Sequence, residues 1–107
     1  MNRSRALALL LTGLLVSTPL LADGDPAAGR KKAFTCMGCH GVPGFRNAYP
    51  GYRVPKLGGQ HAAYLVAALK AYRAEQRSHP TMRGHAATMT DTDMADIAAY
   101  FATVEPE

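Results

Sequence analysis

The sequence predicts an all-α domain with three main helices joined by long loops. Two segments of the 107-residue chain repeat apolar residues at intervals of three and four, the period of one helix face. A third segment opens with Asp25-Pro26, an N-cap followed by proline at the first helical position. No stretch alternates apolar and polar residues with a period of two, so we expect no β-strand.

The first 22 residues have the pattern of a secretory signal peptide. Arg3 and Arg5 lie in a short basic start, residues 6–16 form an apolar run, and Ala22 is a small residue before a polar stretch. We expect cleavage after Ala22. A retained membrane anchor is the alternative, but the apolar run is shorter than the roughly 20 residues that a spanning helix needs. The sequence therefore predicts one exported domain over residues 23–107.

The first two helices are predicted on either side of a long loop. The first helix extends from Asp25 to about Phe34. Residues 41–59 are too rich in proline and glycine for a regular element. The second helix extends from Gln60 to about Arg77. Its apolar residues are expected to form one buried stripe, made of Tyr64, Leu65, Ala68, Leu69 and Tyr72.

A second loop and a third helix complete the predicted domain. Ser78-His79-Pro80 is expected to end the second helix and open a loop that carries residues 81–85. Thr90 is a good cap for the last helix, with Asp91 and Asp93 in its first turn, where the helix dipole favours negative charge. Its apolar face consists of Met94, Ile97, Ala98, Phe101 and Tyr100. Ordered loops of this length in a small domain are commonly binding loops.

The charge of the chain argues against nucleic-acid binding. The 12 basic and 8 acidic residues give a net charge of +4, and removing Arg3 and Arg5 with the signal leaves 10 against 8, or +2. This excess is mild, and the densest basic run is only Arg30-Lys31-Lys32. We expect no nucleic-acid partner and no stable membrane insertion after cleavage.

Cys36-Met37-Gly38-Cys39-His40 has the C-x-x-C-H spacing of covalent haem attachment. Two thiols on one helical turn can each add to a vinyl group on the same porphyrin edge, and the following histidine is then carried beneath the iron. The sequence therefore predicts one haem c, with thioethers at Cys36 and Cys39 and an axial ligand at His40.

Three other interpretations of the cysteine pair are less favoured. A thioredoxin-like redox pair needs a βαβ context, which the pattern lacks. A structural zinc site needs four ligands, and no second cysteine or histidine pair follows at close spacing. A disulfide across two residues closes too short a loop to stabilise the chain much.

The haem iron needs a second axial ligand or an open site. The downstream candidates are His61, His79, Met82, His85, Met89 and Met94. A thioether ligand raises the reduction potential and suits an electron carrier. Position favours Met82, which lies in the predicted second loop, whereas Met94 belongs to a helix stripe. His79, His85 and Met89 remain as alternatives.

In sequence, the chain resembles the small bacterial class I cytochromes c, near the cytochrome c-553 group and the halves of dihaem periplasmic cytochromes. The resemblance extends over Gly29, Cys36-x-x-Cys39-His40-Gly41, the segment from Pro55 to Leu65, then Arg77, Met82 and the segment from Asp91 to Phe101. It implies the class I cytochrome c fold, packed around one covalent haem. It also implies that His40 is the proximal ligand, that the Pro55 carbonyl accepts the other imidazole N–H, and that Met82 is the distal ligand.

The resemblance carries one further implication and two departures. Gly29 is similar to the small residue that lets the first and last helices cross closely near Tyr100. Where the family often has Ala-Gly-x-Arg, this chain has Ala74-Glu75-Gln76-Arg77, so the loop geometry is expected to differ. His85 stands where a methionine is often seen and keeps alternative ligation open.

These features predict a periplasmic electron-transfer protein rather than an enzyme. Its partners would be redox proteins. Basic residues near the haem edge would either steer the acidic docking surfaces of these partners or serve only the solubility of the protein. The basic candidates are Arg53, Lys56, Lys70, Arg73, Arg77 and Arg83. Two alternatives are a cytochrome subunit of a periplasmic dehydrogenase or oxidase complex and an open-site haem protein that senses a small ligand.

Overall fold

The computed structural model describes residues 23–48 and 51–106, and the predicted signal peptide lies outside these ranges. In chain order the helices are α1 (Pro26–Lys32), α2 (Met37–His40), α3 (Ala62–Arg73), α4 (Pro80–Ala87) and α5 (Asp91–Thr103). A 3-10 turn, Ala33–Thr35, joins α1 to α2. Within the described residues the only β pairing is an isolated antiparallel bridge between Arg46 and Arg53. The predicted all-α class is confirmed.

The beginnings of α1 and α5 follow from their capping residues. The Asp25 carboxylate accepts the Ala27 N–H at 2.9 Å, and Pro26 occupies the first helical position. Thr90 and Asp93 form a capping box, in which the Thr90 hydroxyl accepts the Asp93 N–H and the Asp93 carboxylate accepts the Thr90 N–H. Both helices therefore begin where the sequence predicts.

Helix α4 lies in the segment that the sequence predicts as a second loop, so that prediction is wrong for residues 80–87. His79 and Pro80, which were expected to stop the preceding helix, instead begin the next one. The His79 ring accepts the Met82 N–H, and Pro80 fills the first helical position. Proline ends one helix and opens another by the same property, since it lacks an N–H.

Helix α3 ends four residues earlier than predicted, in a left-handed turn. The N–H of Gln76 bonds to Ala71 O at 2.9 Å, and the N–H of Glu75 bonds to Tyr72 O at 3.1 Å, which is a Schellman motif. Glu75 has φ +61°, a conformation that glycine favours. Glu75 thus adopts the conformation suited to the glycine of the family's Ala-Gly-x-Arg.

The side-chain core is small and lies mainly on α5. Met94, Ile97, Ala98 and Phe101 are buried as predicted, and Leu65 of α3 joins them. The rest of the predicted α3 stripe is not part of this core, and Tyr64 is 51% exposed. The stripe instead lines a cavity between α3 and its neighbours.

Helices α1 and α5 cross in backbone contact at Gly29. A Cβ on Gly29 would lie 1.8 Å from Asp96 O and 2.9 Å from Tyr100 Cβ. The predicted close crossing is therefore confirmed. Polar contacts add to it, because the buried Asp96 carboxylate accepts the Asp25 N–H at 2.8 Å and the Lys32 ammonium at 2.6 Å.

No helix within residues 23–48 and 51–106 combines the length and the apolar character needed to cross a bilayer.

Candidate functional site

The Cys36–His40 segment places two thiols and an imidazole on one face of a single turn. The N–H groups of Cys39 and His40 both bond to Cys36 O, at 3.2 and 2.9 Å. Residues at positions i, i+3 and i+4 of such a turn are neighbours on one side of the helix. Cys36 is half-buried and Cys39 is exposed, and both are unpaired thiols. Burial raises the pKa of the Cys36 thiol.

A cavity of about 510 Å³ lies beside this segment. Its volume falls within the roughly 300–1,000 Å³ that small-molecule and cofactor sites occupy. The apolar wall comes mainly from α3 and α5: Tyr64, Leu65, Ala68, Leu69, Tyr72, Ile97 and Phe101. All five residues that the sequence singles out for haem binding also line it: Cys36, Cys39, His40, Pro55 and Met82.

The His40 ring is oriented by a backbone carbonyl from the loop between α2 and α3. Its Nδ1 lies 2.7 Å from Pro55 O. A carbonyl oxygen only accepts, so Nδ1 carries the hydrogen and Nε2 keeps its lone pair. This arrangement is common for histidine ligands, because a hydrogen bond on one nitrogen sets the tautomer and orientation of the other. The lone pair of His40 Nε2 is therefore available to coordinate a metal ion.

Only some of the six candidates for a second axial ligand line the cavity. Met94 is fully buried in the core, and His61 is an exposed residue at the start of α3; neither lines the cavity. His79 lines it, but both ring nitrogens already have partners in Tyr52 and Met82. The remaining lining candidates are Met82, His85 and Met89.

These three candidates differ in how they are held. Met89 packs against the core cluster of α3 and α5, and its carbonyl accepts a hydrogen bond from Arg73 at 3.0 Å. His85 is exposed on α4. Met82 is half-buried in the first turn of α4, and its N–H is held by the His79 ring. Met82 alone among the three combines a cavity position with a capped backbone.

The predicted basic residues divide into two groups. Arg53, Lys56 and Arg77 line the cavity. The other three form ion pairs with acidic side chains: Lys70 and Arg73 with Asp91, and Arg83 with Glu75. Pairing cancels much of the charge of these three side chains at a distance, so Arg53 and Arg77 are the better candidates for steering a partner.

Sequence reasoning missed two contacts, one at the cavity and one at the crossing of α1 and α5. Tyr52 and His79 are joined across the cavity lining, with Tyr52 Oη and His79 Nε2 2.5 Å apart. The buried Asp96 is the second, and it holds α1 to α5. A histidine directly before a helix-starting proline could have indicated a cap, but no local signal connects Tyr52 to a residue 27 positions away.

Comparison with known proteins indicates the same kind of site as the geometry does. The family model described as cytochrome c matches residues 26–105. Cytochrome c-554(548) of Halomonas halodenitrificans is 46% identical over 89 residues, which cover 77% of this chain and 99% of that protein. Cytochrome c4 of Pseudomonas aeruginosa is 42% identical over 100 residues, which cover 94% of this chain and 46% of that protein.

A solved structure is similar in fold. The crystal structure of reduced recombinant cytochrome c4 from Pseudomonas stutzeri superposes with a TM-score of 0.59 at 31% identity, over 78% of this chain and 51% of that one. The chain thus spans about half the length of its cytochrome c4 relatives and nearly the full length of the Halomonas protein.

Proposed function

Because the chain belongs to the cytochrome c family, we propose that it is a periplasmic carrier that passes single electrons between protein partners. Its cofactor is one covalently attached haem c. When bound, the haem supplies an iron that takes up and releases one electron. The observation that carries the proposal is the convergence of Cys36, Cys39, His40 and Met82 on one cavity.

The residues lining the cavity fit a haem. Cys36 and Cys39 lie one helical turn apart, the spacing that two vinyl groups on one porphyrin edge require, and both thiols are unpaired. His40 offers Nε2, since Pro55 O occupies the other nitrogen. The apolar wall of α3 and α5 supplies the low-polarity surroundings that a macrocycle needs. We assign the thioethers to Cys36 and Cys39 and the proximal ligand to His40.

We assign the distal position to Met82. The proposal is supported by its place in the cavity and by the engagement of His79 and Met89 elsewhere. Two strong protein ligands leave no iron site for a substrate, so we propose electron transfer without bond chemistry. An open-site sensor would require Met82 to be absent from the iron.

The ligand assignment is tested by optical spectra of matched methionine variants. Met82→Leu and Met89→Leu make the same substitution at two cavity-lining positions with little change in volume. We expect Met82→Leu alone to abolish the red-edge band of iron–thioether ligation in the oxidised protein, and to let the reduced protein bind carbon monoxide. Loss of the band in Met89→Leu, with Met82→Leu unaffected, would transfer the assignment to Met89. Carbon monoxide binding by the unmodified protein would favour the sensor instead.

We further propose that Arg53 and Arg77 steer an acidic redox partner to the cavity side of the molecule. Long-range attraction of this kind raises association rates and weakens with ionic strength. Arg53→Gln should therefore slow reduction by an acidic partner at low salt and flatten the salt dependence. Lys70→Gln is the matched control, because Lys70 is already paired with Asp91 at 3.4 Å. Equal effects of the two variants would show that net charge, rather than this surface, governs the rate.

Export is the remaining part of the proposal. The folded domain reaches back to Gly24, whose Cβ, if it had one, would lie 2.0 Å from Ala95 O. Cleavage after Ala22 leaves this contact and the Asp25 cap intact. Mass spectrometry of the protein from a periplasmic extract should find Asp23 as the first residue, with one haem added. An uncleaved chain in the membrane fraction would instead support the retained anchor.

A further inference from the structure

His79 lies where three parts of the molecule meet beside the cavity. Its Nδ1 accepts the Met82 N–H at 3.3 Å, and its Nε2 lies 2.5 Å from Tyr52 Oη. Its ring also meets the rings of Tyr52 and Tyr72 edge-on, with centroids 5.2 and 6.3 Å apart. His79 therefore contacts α4 through Met82, the long loop through Tyr52, and α3 through Tyr72.

The two hydrogen bonds determine which nitrogen carries the hydrogen in the neutral ring. Because Nδ1 accepts the Met82 N–H, it carries no hydrogen, so Nε2 carries it and donates to Tyr52 Oη. The usual N-cap residues are serine, threonine, aspartate and asparagine, whose short side chains satisfy one backbone N–H. An imidazole at this position satisfies that N–H and holds a second segment of the chain as well.

The Met82 backbone depends on this cap more than a residue in a long helix would. Helix α4 has eight residues, and isolated helices this short do not persist in water. Met82 is the third residue of its first turn, where backbone N–H groups lack partners within the helix. Fraying of this turn would move the Met82 side chain together with its backbone.

We propose that His79 is a positioning residue that holds Met82 at the iron, by capping α4 and tying its first turn to Tyr52. The inference rests on the proposed ligation by Met82. It assigns no contact between His79 and the haem. Its consequence is that the lifetime of the Met82 bond to iron depends on His79, although His79 is not a ligand.

The test is the rate at which the oxidised holoprotein binds added imidazole, which must displace Met82 from the iron. His79→Ala should bind imidazole about fivefold faster, since a lost cap of about 1 kcal/mol corresponds to that factor. It should also weaken the thioether band. His79→Asn keeps a capping side chain without the bond to Tyr52, and Tyr52→Phe removes that bond from the other side. Both should give rates between those of the parent and His79→Ala.

A cap elsewhere in the molecule provides the control. Thr90 caps α5 through the Asp93 N–H at 3.1 Å, and Thr90→Ala removes a cap of the same kind. We expect it to lower the thermal midpoint while leaving the imidazole rate unchanged. If Thr90→Ala and His79→Ala bound imidazole equally faster than the parent, His79 would contribute only to general stability, and the proposal would be overturned. Parental rates of imidazole binding in His79→Ala, His79→Asn and Tyr52→Phe would overturn it as well. Absence of the thioether band from the parent protein would instead refute ligation by Met82 itself.

Discussion

Replacing Gly29 by alanine should destabilise the protein, because α1 and α5 are in backbone contact there. A Cβ on Gly29 would lie 1.8 Å from Asp96 O, whereas real Cβ atoms essentially never approach a heavy atom within 3.0 Å. The two helices would therefore have to separate by at least 1.2 Å. Asp96 is also the residue that binds Lys32, so the separation would disturb an ion pair as well.

The size of the effect follows from two opposing contributions. Overpacking an interior costs about 1–3 kcal/mol, and the upper end applies because the obstacle is main chain that cannot rotate away. Alanine in place of glycine in a helix gains about 1 kcal/mol from its higher helix propensity. The net loss for Gly29→Ala is then about 2 kcal/mol. In a domain of this size that lowers the thermal midpoint by roughly 8–16 °C.

The matched control is Gly84→Ala in α4. A Cβ on Gly84 meets nothing within 4 Å, and Gly84 does not line the cavity. Only the propensity gain of about 1 kcal/mol applies, so the thermal midpoint should rise by roughly 4–8 °C. The measurement is thermal unfolding of the oxidised holoprotein, followed by far-ultraviolet circular dichroism. If Gly29→Ala were as stable as Gly84→Ala, the helices would be free to separate, and the reasoning from the close crossing would be refuted.

Three further changes test other parts of the fold. The Lys32 ammonium, 2.8 Å from the Asp93 carboxylate, and hydrogen bonds from Thr90 together lower the pKa of Asp93 to about 2, so these contacts stabilise the fold fully above about pH 4 and are lost as pH falls toward 2. Urea midpoints should decline less steeply over that window in Lys32→Gln, because the largest of these contributions is removed. Met94→Ala should cost about 3 kcal/mol in chemical denaturation, because Met94 is fully buried, yet leave the haem spectrum unchanged. Glu75→Gly should gain about 1 kcal/mol by relieving a positive φ, since the exposed pair of Glu75 with Arg83 is worth little, and a loss of stability would contradict this.

Predictions from the sequence are correct where the interaction joins residues close together in the chain, and less reliable elsewhere. The caps at Asp25 and Thr90 act on N–H groups two or three residues away, so their helices begin as predicted. The spacing from Cys36 to His40 likewise places three side chains on one turn without help from the rest of the chain. Helix α4 was mistaken for a loop, because a proline is compatible with either the end of one helix or the beginning of the next. In the structure α3 has already ended at Arg73, and His79-Pro80 begins α4.

The α3 stripe shows a second limit of local patterns. The intervals between Tyr64, Leu65, Ala68, Leu69 and Tyr72 correctly predict one apolar helix face. These intervals do not predict whether that face packs against other side chains or lines a cavity. In the folded chain it lines the cavity beside the Cys36–His40 segment, and only Leu65 joins the side-chain core. A helix face is apolar for either purpose, so periodicity cannot distinguish the two.

The sequence by itself determined the helical class and the place of the C-x-x-C-H segment, and it predicts His40 as the proximal ligand, because each of these depends on residues within a turn or two of one another. Tertiary structure alone decided which downstream side chains reach the cavity. It buried Met94 in the core, engaged His79 with Tyr52, and brought Pro55 O to the His40 ring. The His40–Pro55 and His79–Tyr52 contacts join residues 15 and 27 positions apart, and their formation depends on how α3, α4 and the long loop pack, which no local pattern records.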